Sequence, residues 1–152
     1  MRVRFVESGV SAEVRLLETE APRTCEAIWG CLPIRTRMIH AMMTGRDALI
    51  ELPPENRTFD PRSLPLENGT ITPNAGDVCW FYLPPNMMRG FLEESWEVTF
   101  IYGQDARFLT TVGWMAGSVF GRIEPAHLAE FAAECAQLRI TGVKDVEITR
   151  LE

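Results

Sequence analysis

The sequence has few of the features that mark proteins acting on nucleic acids or membranes. Its 15 lysines and arginines are scattered singly among 21 acidic residues, which gives a formal charge of -6. Phosphate groups and anionic lipids are bound by clustered positive charge, and no such cluster is present. No uncharged stretch is long enough to cross a bilayer, and the first residues lack the apolar run of a signal peptide. These absences predict a cytoplasmic protein that binds neither nucleic acid nor membrane.

Cysteine and histidine are also too sparse for a recognisable metal or redox site. The four cysteines are Cys25, Cys31, Cys79 and Cys135. They lack Cys-x-x-Cys spacing and lie in apolar patterns, which predicts buried free thiols. The two histidines, His40 and His127, are far apart, so we expect no metal site. No serine lies in a nucleophile elbow and no glycine pattern is typical of a phosphate-binding loop, so no cofactor is predicted.

The composition is that of an ordinary globular domain. Hydrophobic residues make up 46% of the 152 residues and charged residues 24%. A chain of this length buries a sizeable core without disulfides or metals. We find no internal repeat and no linker, so residues 1–152 are predicted to form a single domain.

Short segments with strand patterns, separated by turns, dominate the chain. The predicted strands are 2–7, 12–18, 37–43, 48–52, 78–82, 96–102, 119–123 and 145–150. Parallel neighbours need long crossovers, so these strands are predicted to pair mostly antiparallel. Closure into a barrel of about eight strands removes the exposed edges. The segment 53–73 is rich in proline, which predicts an irregular loop or a short ribbon.

Two helices are predicted between the strands. Thr19 is a possible cap and Pro22 a first-turn proline for the first helix, whose apolar residues recur at helical spacing up to Leu32. The second helix is predicted from Pro125 to a stop at Gly142. We expect these helices to cover the two openings of the barrel.

Several phrases, in this order, resemble those of cyclophilins. Residues 20–24 (Glu-Ala-Pro-Arg-Thr) resemble the phrase that opens the first cyclophilin helix, and Val119–Ile123 resembles the phrase that precedes the last one. The whole pattern is similar to an uncharacterised bacterial family, a domain of unknown function with a cyclophilin-like fold. The phrases that carry this second resemblance are 25–33, 39–41, 75–79, 101–103 and 113–123. The resemblance implies a mainly β protein with a closed cyclophilin-like barrel capped by two helices.

The resemblance implies less about activity. Cyclophilins catalyse prolyl isomerisation with the arginine of a Phe-His-Arg phrase, whereas this sequence has Ile39-His40-Ala41-Met42 at the nearest position. Weak prolyl isomerisation is therefore kept as an alternative function, and the resembling bacterial family supplies no activity.

A few polar residues are candidates for chemistry or binding. His40 lies in a predicted strand and is of the residue type that titrates near neutral pH. Arg46 and Arg57 are candidates for binding a carboxylate ligand, because a guanidinium contacts planar anions with two hydrogen bonds. Glu51 and Glu97 lie in apolar strands, and either is a possible general base if both face one cavity.

Aromatic residues and methionines cluster near the predicted strand ends. The aromatic candidates are Trp80, Tyr82, Trp96, Tyr102, Phe108 and Trp114, and the methionines are Met38, Met42, Met43, Met87, Met88 and Met115. Flat apolar walls and adaptable thioethers suit a ligand pocket, although core packing is an equally ordinary role for both.

The sequence thus favours a binding module that holds a small molecule or short peptide in an aromatic and methionine-lined cleft. The ligand-binding candidates are His40, Arg46, Arg57, Trp80, Tyr82, Tyr102 and Trp114. One alternative is an enzyme, either a weak prolyl isomerase or a hydrolase or lyase of small metabolites, with His40 or Glu51 as base. Another is a non-catalytic subunit of a metabolic complex, and a homo-oligomer is possible in each case.

Overall fold

The computed structural model describes residues 1–87 and 91–151. The strands in this part of the chain are β1 (Arg2–Phe5), β2 (Ser11–Leu16), β3 (Ile34–His40), β4 (Asp47–Glu51), β5 (Gly69–Thr70), β6 (Asp77–Leu83), β7 (Ser95–Ile101), β8 (Leu109–Thr110), β9 (Gly113–Trp114), β10 (Gly117–Ile123) and β11 (Lys144–Thr149). The helices are α1 (Pro22–Gly30) and α2 (Pro125–Thr141). Both helices begin at a proline, which supplies the φ angle of a first turn without wasting a backbone donor.

Eight strands form a closed antiparallel barrel. Their order is β2-β1-β11-β3-β4-β7-β6-β10, and β10 pairs back with β2 from Gly121–Leu16 to Ile123–Val14. Because the sheet closes on itself, none of these strands is left as an open edge. The predicted barrel of about eight strands with two helices is therefore confirmed. The short β5 adds to β10, and β8 and β9 form a separate two-stranded ribbon.

The two helices cover opposite ends of the barrel, and β11 shows this directly. At the start of β11, Lys144 Nζ lies 2.7 Å from Glu134 Oε1 of α2. Just beyond its end, Arg150 Nη2 donates to the backbone carbonyl of Trp29 in α1, at 3.0 Å. A strand that runs the length of the barrel thus contacts one helix at each end.

Alternate side chains of each strand point into the barrel, as the period of two requires. They form one core, which both helices complete with their apolar faces. Its strand residues include Val3, Phe5, Val14, Ile34, Met38, Ile50, Val78, Trp80, Val98, Phe100, Phe120, Val146 and Ile148, and its helix residues include Cys25, Ile28, Phe131, Cys135 and Leu138. All four cysteines are buried free thiols, as predicted.

A second apolar cluster lies on the outside of the barrel, over β6, β7 and β10. It includes Phe81, Ile101, Phe108 and Val119. The segment after β7 folds back here, and Phe108 meets Phe81 edge to face with ring centroids 4.7 Å apart. This packing makes one outer face of the barrel apolar and concave.

One local prediction needs correction, and two glycines have different roles. Gly113 has a φ of 110°, a conformation that a side chain disfavours, whereas Gly117 does not have a positive φ. Gly117 is required for space, because a Cβ there would lie 2.5 Å from Phe81 Cζ. Thr19 does not cap α1, whose N-cap residue is Ala21 without a side-chain bond.

The proline-rich segment 53–73 is irregular, as predicted. It contains two short 3-10 turns, Pro54–Asn56 and Pro61–Ser63, before the two-residue β5. Asn56 Nδ2 donates to the carbonyls of Cys31 and Pro33, both at 2.8 Å. The loop is therefore bound to the connection between α1 and β3.

Candidate functional site

A cleft of about 730 Å³ lies on the outer face of the barrel, over β3, β4 and β7. Its lining residues are Thr36, Arg37, Ile39, His40, Ala41, Met42, Met43, Thr44, Leu49, Glu51, Leu83, Phe91, Ser95, Glu97, Thr110 and Val143. A volume of this size is typical of small-molecule sites, and apolar walls with a few polar groups are their usual construction.

Strand register determines the floor of the cleft. Leu49 pairs with Ile39 on one side and Thr99 on the other, so the three side chains point to the same outer face. Two residues along the ladder, Glu51 pairs with Glu97. The floor therefore carries an apolar row beside a pair of carboxylates.

Glu97 is the carboxylate with the most unusual environment. Burial raises its pKa, and the negative charges of Glu51 and Asp47 add to that rise, whereas a hydrogen bond from Ser95 opposes it. Ser95 Oγ donates to Glu97 Oε1 at 2.8 Å. Within the described residues, no basic side chain forms an ion pair with Glu97. A carboxyl of this kind suits proton transfer or the binding of a cation.

Glu51, a predicted candidate base, has a different environment. Its carboxylate lies 3.1 Å from Arg57 Nη2, and about half of the side chain is exposed. Arg57 also donates from Nε to the carbonyl of Leu52 at 3.0 Å and lies over the ring of Trp96. Arg57 is thus held as the counter-ion of Glu51, and its contacts do not place it as a ligand anchor in the cleft.

A third carboxylate, Asp47, lies beneath the cleft in an adjoining recess of about 60 Å³. Only 2% of the residue is exposed. Its oxygens accept from Thr44 Oγ1 at 2.9 and 2.8 Å. Burial raises the pKa of Asp47, and these hydrogen bonds and His40 oppose the rise. The recess shares Thr44 and Glu97 with the larger cleft, so the two are continuous.

His40, the other predicted base, lies at the edge of the cleft with both ring nitrogens occupied. Nδ1 lies 2.6 Å from the carbonyl of Ala41, and Nε2 lies 2.6 Å from the hydroxyl of Tyr102. A carbonyl accepts only, so Nδ1 carries a proton. In the neutral ring Nε2 is then the acceptor, and Tyr102 donates to it.

The structure does not bring Arg46 to the same cavity as His40. Arg46 faces Asp105, with Nε 3.3 Å from Oδ2, and lines a separate cavity beside α2. Tyr102 lies between the two cavities, because it lines the second one while its hydroxyl reaches His40.

The predicted aromatic residues divide between core and surface. Trp80 is 5% exposed and packs against Trp96 and Phe59 in the core. Tyr82 donates to Glu94 Oε2 at 2.7 Å outside the cleft, and Trp114 is exposed on β9. None of these three candidates lines the cleft, where the described aromatic wall is Phe91, whereas the predicted Phe108 lines the adjoining recess with Phe81.

The predicted methionines also lie in different places. Met42 and Met43 line the cleft, whereas Met38 is buried in the core and Met115 lines the recess. Met88 lies outside the described residues.

Sequence reasoning missed Asp47, Thr44 and Phe91. Asp47 and Thr44 are polar residues of a hairpin, which are ordinarily solvated, and no local pattern indicates that Asp47 is buried.

Among residues 1–87 and 91–151, no group of three or more potential metal ligands converges. Neither described helix has the length and apolarity needed to span a membrane.

Comparison with known proteins extends the fold assignment. No sequence match to a curated protein was found. Among solved structures the chain is similar to McbB in complex with tryptophan, with a TM-score of 0.68 and 17% identity; the match covers 98% of this chain but 44% of McbB. It is also similar to the solution structure of the hypothetical protein AF2241 from Archaeoglobus fulgidus, with a TM-score of 0.56, 20% identity and coverage of 99% and 92%. At such identities the similarity establishes the fold alone. The family model for "protein of unknown function (DUF3830)" matches residues 3–150, and the chain belongs to that family.

Proposed function

We propose that the protein is a binding module whose outer cleft holds a small molecule, or the end of a short peptide, that carries an amino group beside an apolar body. The observation that carries this proposal is the environment of Glu97, a largely buried carboxylate that faces the cleft with a raised pKa and no basic ion-pair partner among the described residues.

The apolar part of the ligand would lie on the hydrophobic lining of the cleft. Ile39 and Leu49 form part of the floor, and Met43 and Phe91 add adaptable and flat surface. Ile39 is 47% exposed and Met43 is 53% exposed. Covering such surface contributes roughly 25 cal/mol for each Å² removed from water.

The amino group of the ligand would lie at Glu97. Glu51 is already balanced by Arg57, but Glu97 is repelled by the negative charges of Glu51 and Asp47. A ligand ammonium near Glu97 would relieve this repulsion and favour the ionised carboxylate. Binding should therefore lower the pKa of Glu97 and release protons below neutral pH.

The proposal can be tested with tryptamine and its neutral isostere tryptophol. Tryptophan is added as a probe because McbB, a protein with a similar fold, was solved in complex with it. Isothermal titration calorimetry in two buffers of different ionisation enthalpy measures affinity and proton release together. We expect tryptamine to bind at least ten-fold more tightly than tryptophol, with release of protons at pH 6 and less release at pH 8.

Glu97→Gln should remove this preference, while Glu26→Gln, an equal charge change at an exposed position of α1, should leave it intact. Equal affinity for tryptamine and tryptophol, or unchanged tryptamine binding to Glu97→Gln, would refute the amino-group assignment. Absence of binding by all three probes and by a broader panel of alkyl and aryl amines would refute the proposal as a whole.

Acid–base catalysis on a ligand in the same cleft is a second candidate function, favoured by the raised pKa of Glu97. In this case Glu97 acts as the base instead of the predicted Glu51 or His40, since Glu51 is paired with Arg57 and His40 with Tyr102. Mass spectrometry of bound amines after incubation tests it. A new product with the unmodified protein and Glu26→Gln, but not with Glu97→Gln, is the expected result, and unchanged ligands throughout would leave binding as the function.

A further inference from the structure

A second cavity, of about 420 Å³, lies on the other side of Tyr102 from the cleft. It is lined by Arg46, Tyr102, Ala132, Ala133, Ala136 and Arg139, and we call it the alanine shelf. The three alanines lie on α2, where their short side chains leave room above the helix. The shelf is separate from the cleft of the proposed function and does not depend on it.

Two glycines determine where Arg46 lies on this shelf. A Cβ at Gly103 would be 2.6 Å from Arg46 Cδ, so only glycine lets the arginine stem lie flat against the backbone beside Tyr102. Gly45 has a φ of 109°, and a Cβ there would lie 2.8 Å from the carbonyl oxygen of Asp105. Arg46 is also held by its own carbonyl, which accepts from the backbone N–H of Tyr102 at 3.0 Å.

The shelf has an excess of positive charge. Arg46 forms an ion pair with Asp105, with Nε 3.3 Å from Oδ2, but solvent weakens this pair because about half or more of each side chain is exposed. Arg139 forms no ion pair with any residue of the ranges that the structure describes. Burial raises the pKa of the Tyr102 phenol, while the positive charges of Arg139 and Arg46 oppose the rise, so both guanidinium groups act on the phenol. Two guanidinium groups beside one hydroxyl favour a planar anion.

The hydroxyl of Tyr102 contacts Nε2 of His40, and its proton is engaged in that contact when His40 is neutral. Nδ1 of His40 donates to the Ala41 carbonyl and carries the one proton of the neutral ring, so Nε2 accepts a hydrogen bond from the Tyr102 hydroxyl. If Nε2 takes up a proton from solvent, it becomes a donor, and the oxygen of Tyr102 accepts from it. The hydroxyl proton is then released to donate to a different acceptor.

We propose that the alanine shelf binds a small carboxylate-bearing ligand between Arg46 and Arg139, and that protonation of His40 turns the Tyr102 hydroxyl toward the bound carboxylate. Binding then takes up one proton at Nε2 of His40, and no covalent bond changes. The flat body of the ligand lies over Ala132 and Ala136.

Other charged groups near this pair influence the effect but do not replace it. Burial raises the pKa of Asp47 and the charge of His40 opposes the rise, so Asp47 is the carboxylate that interacts with the ring. Around Tyr102 lie Asp105, the two arginines and the buried thiol of Cys135. Burial raises the pKa of that thiol, so it stays protonated in the range where histidine titrates.

Benzoate and its neutral isostere benzamide test the proposal, because they differ in charge and not in shape. Titration is followed by NMR of ¹³C-labelled alanine methyl groups, which reports directly on Ala132, Ala133 and Ala136. We expect benzoate to shift these signals and benzamide to leave them unchanged. Benzoate should bind roughly ten-fold more tightly at pH 6 than at pH 8, the range over which histidine ordinarily changes charge.

Three variants separate the parts of the proposal. Arg139→Gln should weaken benzoate binding about ten-fold or more at both pH values, and the exposed Arg35→Gln, at the far end of β3, should not. Tyr102→Phe should bind benzoate equally at pH 6 and pH 8, with the weaker affinity that the unmodified protein has at pH 8. Equal shifts with benzamide, or unchanged binding to Arg139→Gln, would overturn the site. Equal benzoate affinity at pH 6 and pH 8 would overturn the Tyr102 switch even if Tyr102→Phe fails to fold.

Discussion

Glu51 and Glu97 lie directly opposite each other across the β4–β7 ladder, with both side chains on the cleft face. Opposed like charges destabilise an antiparallel pair. The two carboxylates have different stabilising partners, since Arg57 contacts Glu51 at 3.1 Å and Ser95 Oγ contacts Glu97 at 2.8 Å. Glu51 is balanced by a full charge and Glu97 only by a hydroxyl group, and burial together with the neighbouring negative charges raises the pKa of Glu97.

Glu97→Gln should therefore stabilise the fold at neutral pH. The pKa of Glu97 in the folded state lies above its ordinary value of 4.5. The folded state then holds a proton that the unfolded chain releases, and the free energy of unfolding falls as pH rises from about 4.5. Glutamine keeps the acceptor for Ser95 and removes the charge. We expect urea denaturation at pH 7 to show a gain of about 0.2–1 kcal/mol.

At pH 4 the gain from Glu97→Gln should disappear, because Glu97 itself is then protonated. Glu26→Gln, at an exposed position of α1, is the control and should change the free energy of unfolding by less than about 0.5 kcal/mol at either pH. A loss of stability at pH 7 would show that the charge of Glu97 supports the fold, contrary to this interpretation.

The barrel was predictable because its cause is local. Alternation of apolar and polar side chains, as in Lys144–Thr149, predicts a strand wherever one face is buried. The turns between such segments then leave few ways of pairing. Proline at position 125 and Gly142 likewise delimit α2 without any tertiary information.

The candidate site was only partly predictable, because it depends on register. Glu51 and Glu97 were each identifiable as carboxylates in apolar strands, but only the pairing of β4 with β7 makes them opposite. His40 and Arg46 are near in sequence, yet no cavity is lined by both, because the His40 ring contacts Tyr102 whereas Arg46 faces Asp105. The residue that caps α1 was also not predictable, because the backbone N–H of Thr24 donates to Glu67, which lies 43 positions further along the chain.

Glu67 acts as this distant cap, and Glu67→Ala should destabilise the protein. Its carboxylate accepts from the N–H of Thr24 at 2.8 Å, from Thr24 Oγ1 at 2.7 Å and from the N–H of Arg23 at 3.2 Å. These are the first-turn donors that a helix cannot satisfy itself. We expect a loss of about 1–2 kcal/mol in urea denaturation at pH 7, as for a lost N-cap.

The pH dependence of Glu67 should have the opposite sign to that of Glu97. Burial pushes the pKa of Glu67 up, but the hydrogen bonds from Thr24 and Arg23 outweigh it and hold the pKa below its ordinary value of 4.5. Its contribution is present above pH 4.5 and is lost as pH falls through the folded-state pKa. Glu67→Gln, which keeps one acceptor, should lose less stability at pH 7 than Glu67→Ala. Equal losses in both variants would show that the charge alone matters.

Gly117→Ala should disturb the apolar cluster behind the cleft. The added methyl would meet three ring atoms of Phe81 at 2.5–3.0 Å, and Phe81 is itself held against Phe108. Overpacking of this kind costs about 1–3 kcal/mol. Gly30→Ala is the matched control, because its new methyl would come no closer than 3.7 Å to Thr58 Oγ1. Phe81→Leu should relieve the clash, so the double variant should be less destabilised than the sum of the two single variants.

Lys144 and Glu134 join β11 to α2, and their separate removal should cost more than their joint replacement. The 2.7 Å contact is largely buried, with side-chain exposures of 19% for Lys144 and 14% for Glu134. Lys144→Met leaves Glu134 partly buried without its cation, and we expect a loss of about 1–3 kcal/mol. In Lys144→Met/Glu134→Leu no charge is left unpaired, and apolar replacement of a buried pair is often near neutral. Thermal and urea denaturation of the four proteins in this cycle measure the coupling, and strictly additive losses would mean that the ion pair does not hold the helix to the barrel.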